Sequence, residues 1–334
     1  TAMSGAIACG LLGFIPAKQV FSGLSNSTVV LFAGMFVVGA AMFHTGLAQK
    51  IGISIVRFSG TSENSLMFGI MIVGAGLSSV LSNTGTAACL MPVVLGICAA
   101  AKIPASRQLM PLAYAAGVGG IITLVGTPPN IIVSGALTSF GYEPFSFFEF
   151  AWIGIPLTVV AIAYMMFIGK YLLPKAELDA DQEIEQEIEA TVHDSKKQII
   201  SGLILAVVIV VMAEWAVSLM GGAPTPIIMT SVLFIISCTL TQFMSNTAAA
   251  ALLAPVGVAI SQQLGASPKA VLMAIGVAAS CAFATPVGTP PCTLVLGPGG
   301  YKFMDYVKVG VPLVILCFIV SIIVIPMVWP FFPG

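Results

Sequence analysis

Two short polar motifs, each present twice, are the residues of this sequence best suited to bind ions. Ser-Asn-Thr occurs at residues 82–84 and 245–247, and Gly-Thr-Pro-Pro follows at residues 126–129 and 288–291. The order and the spacing of the motifs are nearly the same in both copies. Alone, either motif would be a weak signal, because Gly, Pro and small polar residues are common in membrane helices. Their ordered repetition indicates a duplicated unit with a paired binding site.

Each motif interrupts apolar sequence and leaves backbone polar groups free. Ser and Asn are favoured N-cap residues, so Ser-Asn-Thr predicts a helix start whose unpaired N–H groups attract an anion. In Gly-Thr-Pro-Pro, proline removes a hydrogen-bond donor and glycine permits open backbone geometry. The carbonyl groups freed there could coordinate a small cation. Ser78 and Thr241, one helical turn before each Ser-Asn-Thr, could add oxygen ligands or bond to their own helix carbonyls.

The surroundings of both motifs contain no Lys, Arg, Asp, Glu or His. An anion bound there would lack a countercharge, and a charge at bilayer depth costs about 2.5–3.5 kcal/mol or more. A co-bound cation is the natural compensation, and Na+ suits neutral carbonyl and hydroxyl oxygens. Proton coupling would ordinarily need an intramembrane carboxylate or histidine. His44 and Glu214 are the candidates for that role, and we expect both to be structural.

The composition predicts a polytopic membrane protein. Hydrophobic residues make up 58% of the chain and charged residues 7%, with a mean hydropathy of +1.07, well beyond soluble domains. Nucleic acid is disfavoured as a partner, because the Lys and Arg residues form no basic stripe. The seven cysteines show no CxxC spacing, which argues against a disulfide framework or a metal site. An enzyme is also disfavoured because no nucleophile and base are paired, and a passive channel because the two interrupted apolar stretches predict buried, paired hairpins.

The predicted fold class is an all-α polytopic membrane protein of two inverted-topology repeats, each with a re-entrant helical hairpin and a discontinuous transmembrane helix. The apolar stretches 64–101 and 224–264 carry Ser-Asn-Thr at their midpoints, which favours re-entrant hairpins over two full spans. The segments long enough to cross a membrane are 27–48, 108–137, 150–173, 198–219, 269–296 and 306–331.

The distribution of basic residues orients this topology. If the hairpins do not cross, all of the 12 Lys and Arg residues except Lys18 and Lys269 fall on one side, which is therefore cytoplasmic. Three crossings in each unit invert the second copy, so that the two Ser-Asn-Thr tips meet near the midplane. We expect the membrane to be a bacterial inner membrane.

Four regions follow from these elements. They are a helix remnant and loop at 1–26, repeat 1 at 27–173, an acidic cytoplasmic linker at 174–197 and repeat 2 at 198–334. The linker holds most of the 13 acidic residues, and a short surface helix is favoured over a calcium or partner site. Repeat 2 is shorter than repeat 1 before its hairpin, so we expect a segment to be missing near 214–223.

The motifs resemble those of the divalent anion:sodium symporter family within the ion transporter superfamily. The resemblance is carried by residues 82–84, 126–130, 245–247, 285–291 and 297–303. It implies a homodimer with a scaffold domain and a moving transport domain that carries its substrate by an elevator motion. The chain departs from the pattern at Cys292, where the first repeat has Asn130.

The resemblance also implies site residues. One sodium ion would bind at Ser78, Ser82, Asn83 and Gly126, and a second at Thr241, Asn246 and Gly288. Substrate oxygens would meet Ser82, Asn83, Thr84, Thr127, Ser245, Asn246, Thr247, Thr289 and Pro290.

The function predicted from motifs and resemblance together is secondary active transport. A small divalent anion would be imported with Na+ as the coupling ion, and no other cofactor is expected. The favoured substrate is a C4 dicarboxylate such as succinate, malate or fumarate, because its two carboxylates match the two intact Ser-Asn-Thr motifs. Sulfate transport, sodium-independent dicarboxylate exchange and cation/proton antiport remain alternatives.

Overall fold

The computed structural model describes residues 62–174 and 225–332, which we call the first half and the second half, with a few isolated positions between 12 and 46. The predicted segments 1–26, 27–48 and 198–219 and the acidic linker therefore lie almost entirely outside the described residues. The same holds for His44, Glu214 and the proposed gap near 214–223.

The described residues are helical and contain no strand, which confirms the all-α prediction. The helices of the first half are α1 (Glu63–Ser78), α2 (Asn83–Ala101), α3 (Leu109–Gly119), α4 (Pro128–Ser139) and α5 (Ala151–Leu172, with π-helical Met165–Gly169). Those of the second half are α6 (Pro226–Thr241), α7 (Asn246–Leu264), α8 (Pro268–Ser280), α9 (Pro290–Leu296) and α10 (Phe303–Val328).

The apolar character of these helices is that of a membrane protein. Within the described ranges, α2, α5, α7 and α10 are long and apolar enough to cross a bilayer, while α1, α6 and α8 are apolar but shorter. The outer face of α10 exposes large apolar side chains at every fourth position. They are Val311, Ile315, Ile319, Ile323 and Met327.

Helices α3 and α8 form the centre of the described structure. Every residue of α3 is buried, as is every residue of α8 after its first two. In the first half, α1, α2 and α5 pack on α3, and in the second half α6, α7 and α10 pack on α8 in the same way. The halves also interlock, because α7 packs on α4, α2 packs on α9, and α5 packs on α10. The matching contacts agree with the duplication of the motifs in the sequence.

The central helices stop where the Gly-Thr-Pro-Pro motifs begin. After α3 and a 3-10 turn (Gly120–Ile122), the chain is unwound until α4 starts at Pro128, and after α8 it is unwound until α9 starts at Pro290. A first-turn proline suits a helix start, since the N–H that it lacks would be unpaired there. The residue before proline is pushed to extended geometry, and the N-caps Thr127 and Thr289 adopt φ of −138° and −135°.

The Ser-Asn-Thr motifs form the tips of two helical hairpins, α1–α2 and α6–α7. Ser82 and Ser245 are the N-caps of α2 and α7, and their Oγ atoms accept hydrogen bonds from the backbone N–H groups of Gly85 and Ala248. The second arms end at Lys102 and Gly265 with φ of 53° and 63°. Left-handed geometry at a helix C-terminus favours glycine, so the first hairpin ends on the less suitable residue.

Candidate functional site

Side-chain and backbone oxygens of the first half converge around the amide of Asn83. One end of this amide lies 2.8 Å from Ser78 Oγ, 2.9 Å from the Gly126 carbonyl oxygen and 3.1 Å from the Ala116 carbonyl oxygen. Ser78 Oγ also donates to the Ala116 carbonyl oxygen at 2.6 Å. We call these four groups the first oxygen cluster. It joins the tip of the α1–α2 hairpin to both ends of the interruption between α3 and α4.

The second half repeats this arrangement around Asn246. One end of its amide lies 2.8 Å from Thr241 Oγ1, 2.8 Å from the Gly288 carbonyl oxygen and 3.2 Å from the Ala279 carbonyl oxygen. Thr241 Oγ1 donates to the Ala279 carbonyl oxygen at 2.8 Å. These four groups are the second oxygen cluster. The two clusters therefore have the same chemistry, except that a threonine hydroxyl replaces the serine hydroxyl.

Close approach of the backbone in both clusters depends on glycine. A Cβ atom on Gly126 would lie 2.4 Å from the Gly120 carbonyl oxygen and 2.9 Å from the Ser78 carbonyl oxygen, and one on Gly288 would lie 2.5 Å from the Thr241 carbonyl oxygen. Such contacts are too short for any other residue type. The glycine of Gly-Thr-Pro-Pro is thus required by packing against the hairpin.

A threonine in each unwound segment fastens the segment to its hairpin. Thr123 Oγ1 lies 2.5 Å from the Ser79 carbonyl oxygen and accepts from the Gly126 N–H at 3.2 Å. Thr285 Oγ1 donates to the Gln242 carbonyl oxygen at 2.7 Å and accepts from the Gly288 N–H at 3.3 Å. These bonds fix the glycine whose carbonyl oxygen enters the cluster.

Each cluster can bind a small hard cation with neutral oxygens alone. With Asn83 Oδ1 or Asn246 Oδ1 turned inward, four oxygens face one another, an arrangement that a cation stabilises. With the amide nitrogen turned inward, its two N–H groups lie within hydrogen-bond distance of the same three oxygens. The arrangement with nitrogen inward is satisfied without an ion, whereas the arrangement with oxygen inward places four oxygens together and calls for a cation.

The structure brings together most of the predicted sodium ligands. Ser78, Asn83 and Gly126 meet in the first cluster, and Thr241, Asn246 and Gly288 meet in the second. The Ser82 Oγ is used as a helix cap, and no hydrogen bond within the described residues joins it to the first cluster.

The predicted substrate residues differ in exposure. Asn83 and Asn246 are 6% and 7% exposed, and Thr127 and Thr289 are also buried. The Oγ1 atom of Thr127 has no hydrogen-bond partner among the described residues. Open surface is reached by Thr84, Ser245, Thr247 and Pro290, while Ser82 is half-buried.

Two backbone oxygens of the clusters were missed by sequence reasoning, whereas Gly126 and Gly288 were predicted. The carbonyl oxygens of Ala116 and Ala279 belong to residues with no distinctive side chain. Both lie 38 residues after the hydroxyl residue that donates to them. Alignment of the two halves on their motifs would have placed Ala116 opposite Ala279 and Thr123 opposite Thr285. This correspondence is the sequence signal by which these residues could have been found.

An all-helical fold with interrupted apolar helices and paired neutral oxygen clusters defines the chain as a polytopic membrane protein of the transporter class. The family model described as citrate transporter matches residues 1–213 and 199–332. The chain belongs to this family.

Several bacterial transporters are similar to the chain over most of its length. It is 24% identical to the uncharacterized transporter YfbS of Escherichia coli K12, covering 97% of this chain and 94% of YfbS. It is 29% identical to an uncharacterized transporter of Haemophilus influenzae, with coverage of 92% and 82%. The sodium-dependent dicarboxylate transporter SdcS of Staphylococcus aureus USA300 is 25% identical, with coverage of 95% and 79%. These alignments extend over more positions than the chain has, so the relatives contain segments without a counterpart here.

Proposed function

We propose that this protein is a secondary active transporter that imports a small divalent anion together with Na+. The observation that supports this most is the pair of matching oxygen clusters, each built without an ionised side chain. Their ligands are hydroxyl, amide and backbone carbonyl oxygens. Such groups bind the coupling cation in transporters with interrupted helices.

The substrate anion would bind beside the two hairpin tips. Helices α2 and α7 start there, and the N-terminus of a helix carries partial positive charge and unpaired N–H groups. Thr84 and Thr247 lie in the first turns of these helices with exposed side chains and can donate hydroxyl hydrogen bonds. A C4 dicarboxylate would place one carboxylate at each tip. The similarity to SdcS, which is named a sodium-dependent dicarboxylate transporter, supports this substrate class.

Charge balance couples the two solutes. A dianion brought to neutral hairpin tips at membrane depth lacks a countercharge, and this cost falls when cations bind in the adjacent clusters. Each cluster shares its asparagine with the hairpin tip, so ion binding orders the tip that receives the anion. We therefore propose that sodium binds before the substrate and raises its affinity.

The proposal includes a moving unit. The hairpins and interrupted helices are joined by the hydrogen bonds of the clusters, and they would travel together, in inverted orientations, against a scaffold within a homodimer. The membrane would be a bacterial inner membrane with residues 174–197 on the cytoplasmic side.

Uptake into proteoliposomes tests this function. Radiolabelled succinate is expected to accumulate with an inward Na+ gradient and not with an equal K+ gradient. Excess unlabelled malate and fumarate should compete, and sulfate and citrate serve as further competitors. Equal uptake with Na+ and K+ would refute sodium coupling. Uptake that requires succinate inside the vesicles would show an exchanger instead.

A further inference from the structure

We infer that Gln242 is a positioning residue for the second oxygen cluster. It holds the unwound segment that carries the cluster's backbone ligands, a role that a different residue fills in the first half. The inference rests on the proposed sodium coupling and concerns how the second sodium site keeps its shape.

The Gln242 side chain bridges the hairpin and the unwound segment after α8. Its Nε2 donates to the Cys281 carbonyl oxygen at 3.1 Å and to the Cys238 carbonyl oxygen at 3.0 Å. Its Oε1 accepts from the Ala284 N–H at 3.1 Å. Its own carbonyl oxygen accepts from Thr285 Oγ1. One residue of the hairpin is therefore bonded to three positions of the unwound segment.

The first half has the same threonine bond, from Thr123 to the Ser79 carbonyl oxygen, but its amide bonds come from a different residue. Ser79 occupies the position of Gln242 before the first Ser-Asn-Thr. Among the described residues, its hydroxyl donates to the Gly76 carbonyl oxygen of its own helix, at 2.7 Å, and does not reach the unwound segment. The amide there comes from Asn130 on α4, whose Nδ2 donates to the carbonyl oxygens of Thr123 at 2.8 Å and Ile121 at 3.3 Å. The matching position on α9 is Cys292, which offers only a weak thiol donor. Gln242 thus supplies the amide that Cys292 does not.

The bonds of Gln242 satisfy backbone groups that water cannot reach. Cys281 is fully buried and Ala284 is 9% exposed. Unwound backbone at membrane depth is tolerated only where its polar groups find partners. This segment joins Ala279 to Gly288, the two residues that give carbonyl oxygens to the second cluster. Loss of the bridge would loosen both ligands together.

The amide comes from the hairpin in the second half and from the interrupted helix itself in the first. Any movement of the α6–α7 tip therefore changes the support of its own cation site. In the first half, the Asn130 bridge stays intact when the α1–α2 tip moves. Movement of a hairpin tip displaces cluster oxygens in both halves, because Asn83 and Asn246 both belong to hairpin tips. In the second half, the same movement also removes the amide that supports the unwound segment.

Sodium titration of purified variants in detergent tests this inference. Gln242→Met removes the three side-chain hydrogen bonds to the backbone with little change of side-chain volume and keeps the backbone bond to Thr285. Ser79→Ala is the matched control at the same position of the other half. Thermal stability is measured against Na+ at saturating succinate and against succinate at saturating Na+. For Gln242→Met we expect the half-saturating Na+ concentration to rise at least about tenfold, because two donors and one acceptor bond are lost. The half-saturating succinate concentration at high Na+ should change less than threefold, and Ser79→Ala should match the wild type.

Hydrogen exchange gives a second readout that does not depend on sodium. Backbone amides at 281–288 should exchange faster in Gln242→Met, while those at 121–126 stay unchanged. If Gln242→Met does not fold, Gln242→Asn, shorter by one methylene, should show the same changes to a smaller extent.

The outcomes separate the inference from the proposed function. Unchanged sodium dependence and unchanged exchange in a folded Gln242 variant, beside a sodium-dependent wild type, would overturn the inference alone. A wild type that Na+ does not stabilise would remove the proposed function and, with it, the role of Gln242 at a sodium site.

Discussion

A single methyl group at Gly126 is expected to weaken Na+ binding at the first oxygen cluster while leaving the fold in place. The added Cβ would lie 2.4 Å from the Gly120 carbonyl oxygen, whereas ordinary contacts begin at 3.4 Å. The backbone at residue 126 must therefore retreat by about 1 Å, since its neighbours are backbone atoms that cannot rotate away. The Gly126 carbonyl oxygen, now 2.9 Å from the Asn83 amide, would leave the cluster.

The size of the effect follows from the lost ligand. A hydrogen bond or dipole contact to a charged group contributes about 1.5–3 kcal/mol. Losing one such contact weakens Na+ binding by roughly 10- to 150-fold. Overpacking of this kind also lowers the free energy of unfolding by about 1–3 kcal/mol.

The assay compares Gly126→Ala with Gly135→Ala. In Gly135, which lies on α4, an added Cβ would meet nothing within 4 Å, so the same substitution there should keep sodium dependence and raise helix stability slightly. Succinate uptake and thermal stability are measured against Na+ concentration for both variants. A folded Gly126→Ala protein with wild-type sodium dependence would refute the assignment of the first oxygen cluster as a cation site.

Three further changes test other parts of the structure. Lys102→Gly relieves a left-handed C-cap and should raise the free energy of unfolding by about 0.5–1 kcal/mol in thermal unfolding; a loss of stability would contradict the geometry. Glu149 accepts from Trp329 Nε1 at 2.9 Å and pairs with Lys269 at 3.3 Å, so Glu149→Gln should lower stability by about 1–3 kcal/mol without altering sodium half-saturation. Thr247→Ala removes an exposed hydroxyl at the second tip and should raise the half-saturating succinate concentration roughly tenfold in uptake assays. An unchanged value would place the substrate elsewhere.

The positions at which the helices are interrupted could be predicted from sequence, because they follow from local chemistry. Proline at 128 and 290 cannot continue a helix, and Ser82 and Ser245 are natural N-caps. Each motif stands out because the surrounding sequence is apolar. The apolar stretches 64–101 and 224–264 correspond to the helix pairs α1–α2, over 63–101, and α6–α7, over 226–264. That these hairpins are re-entrant stays a prediction.

The carbonyl oxygens of Ala116 and Ala279 could not be predicted in the same way, whereas those of Gly126 and Gly288 were indicated by the Gly-Thr-Pro-Pro motif. Every residue has a carbonyl group, so nothing in the side chains of Ala116 and Ala279 indicates a role. Their position depends on how α3 and α8 pack against the hairpins, which is a tertiary property.

Sequence reasoning also could not predict that the two unwound segments are held by amide side chains from different positions. The replacement of Asn130 by Cys292 in the second half was visible, but its compensation by Gln242 comes from a different helix. Only the three-dimensional arrangement shows that these two positions reach equivalent unwound segments.

The crossed packing of α2 on α9 and of α7 on α4 means that neither half has a complete interior of its own. A fragment ending near residue 174 would leave α2 and α4 without the helices that cover them. Two separately produced fragments, one for each half, should therefore acquire protease resistance only when they are mixed, as in fragment complementation. The duplicated units, although alike in sequence, have become obligate partners.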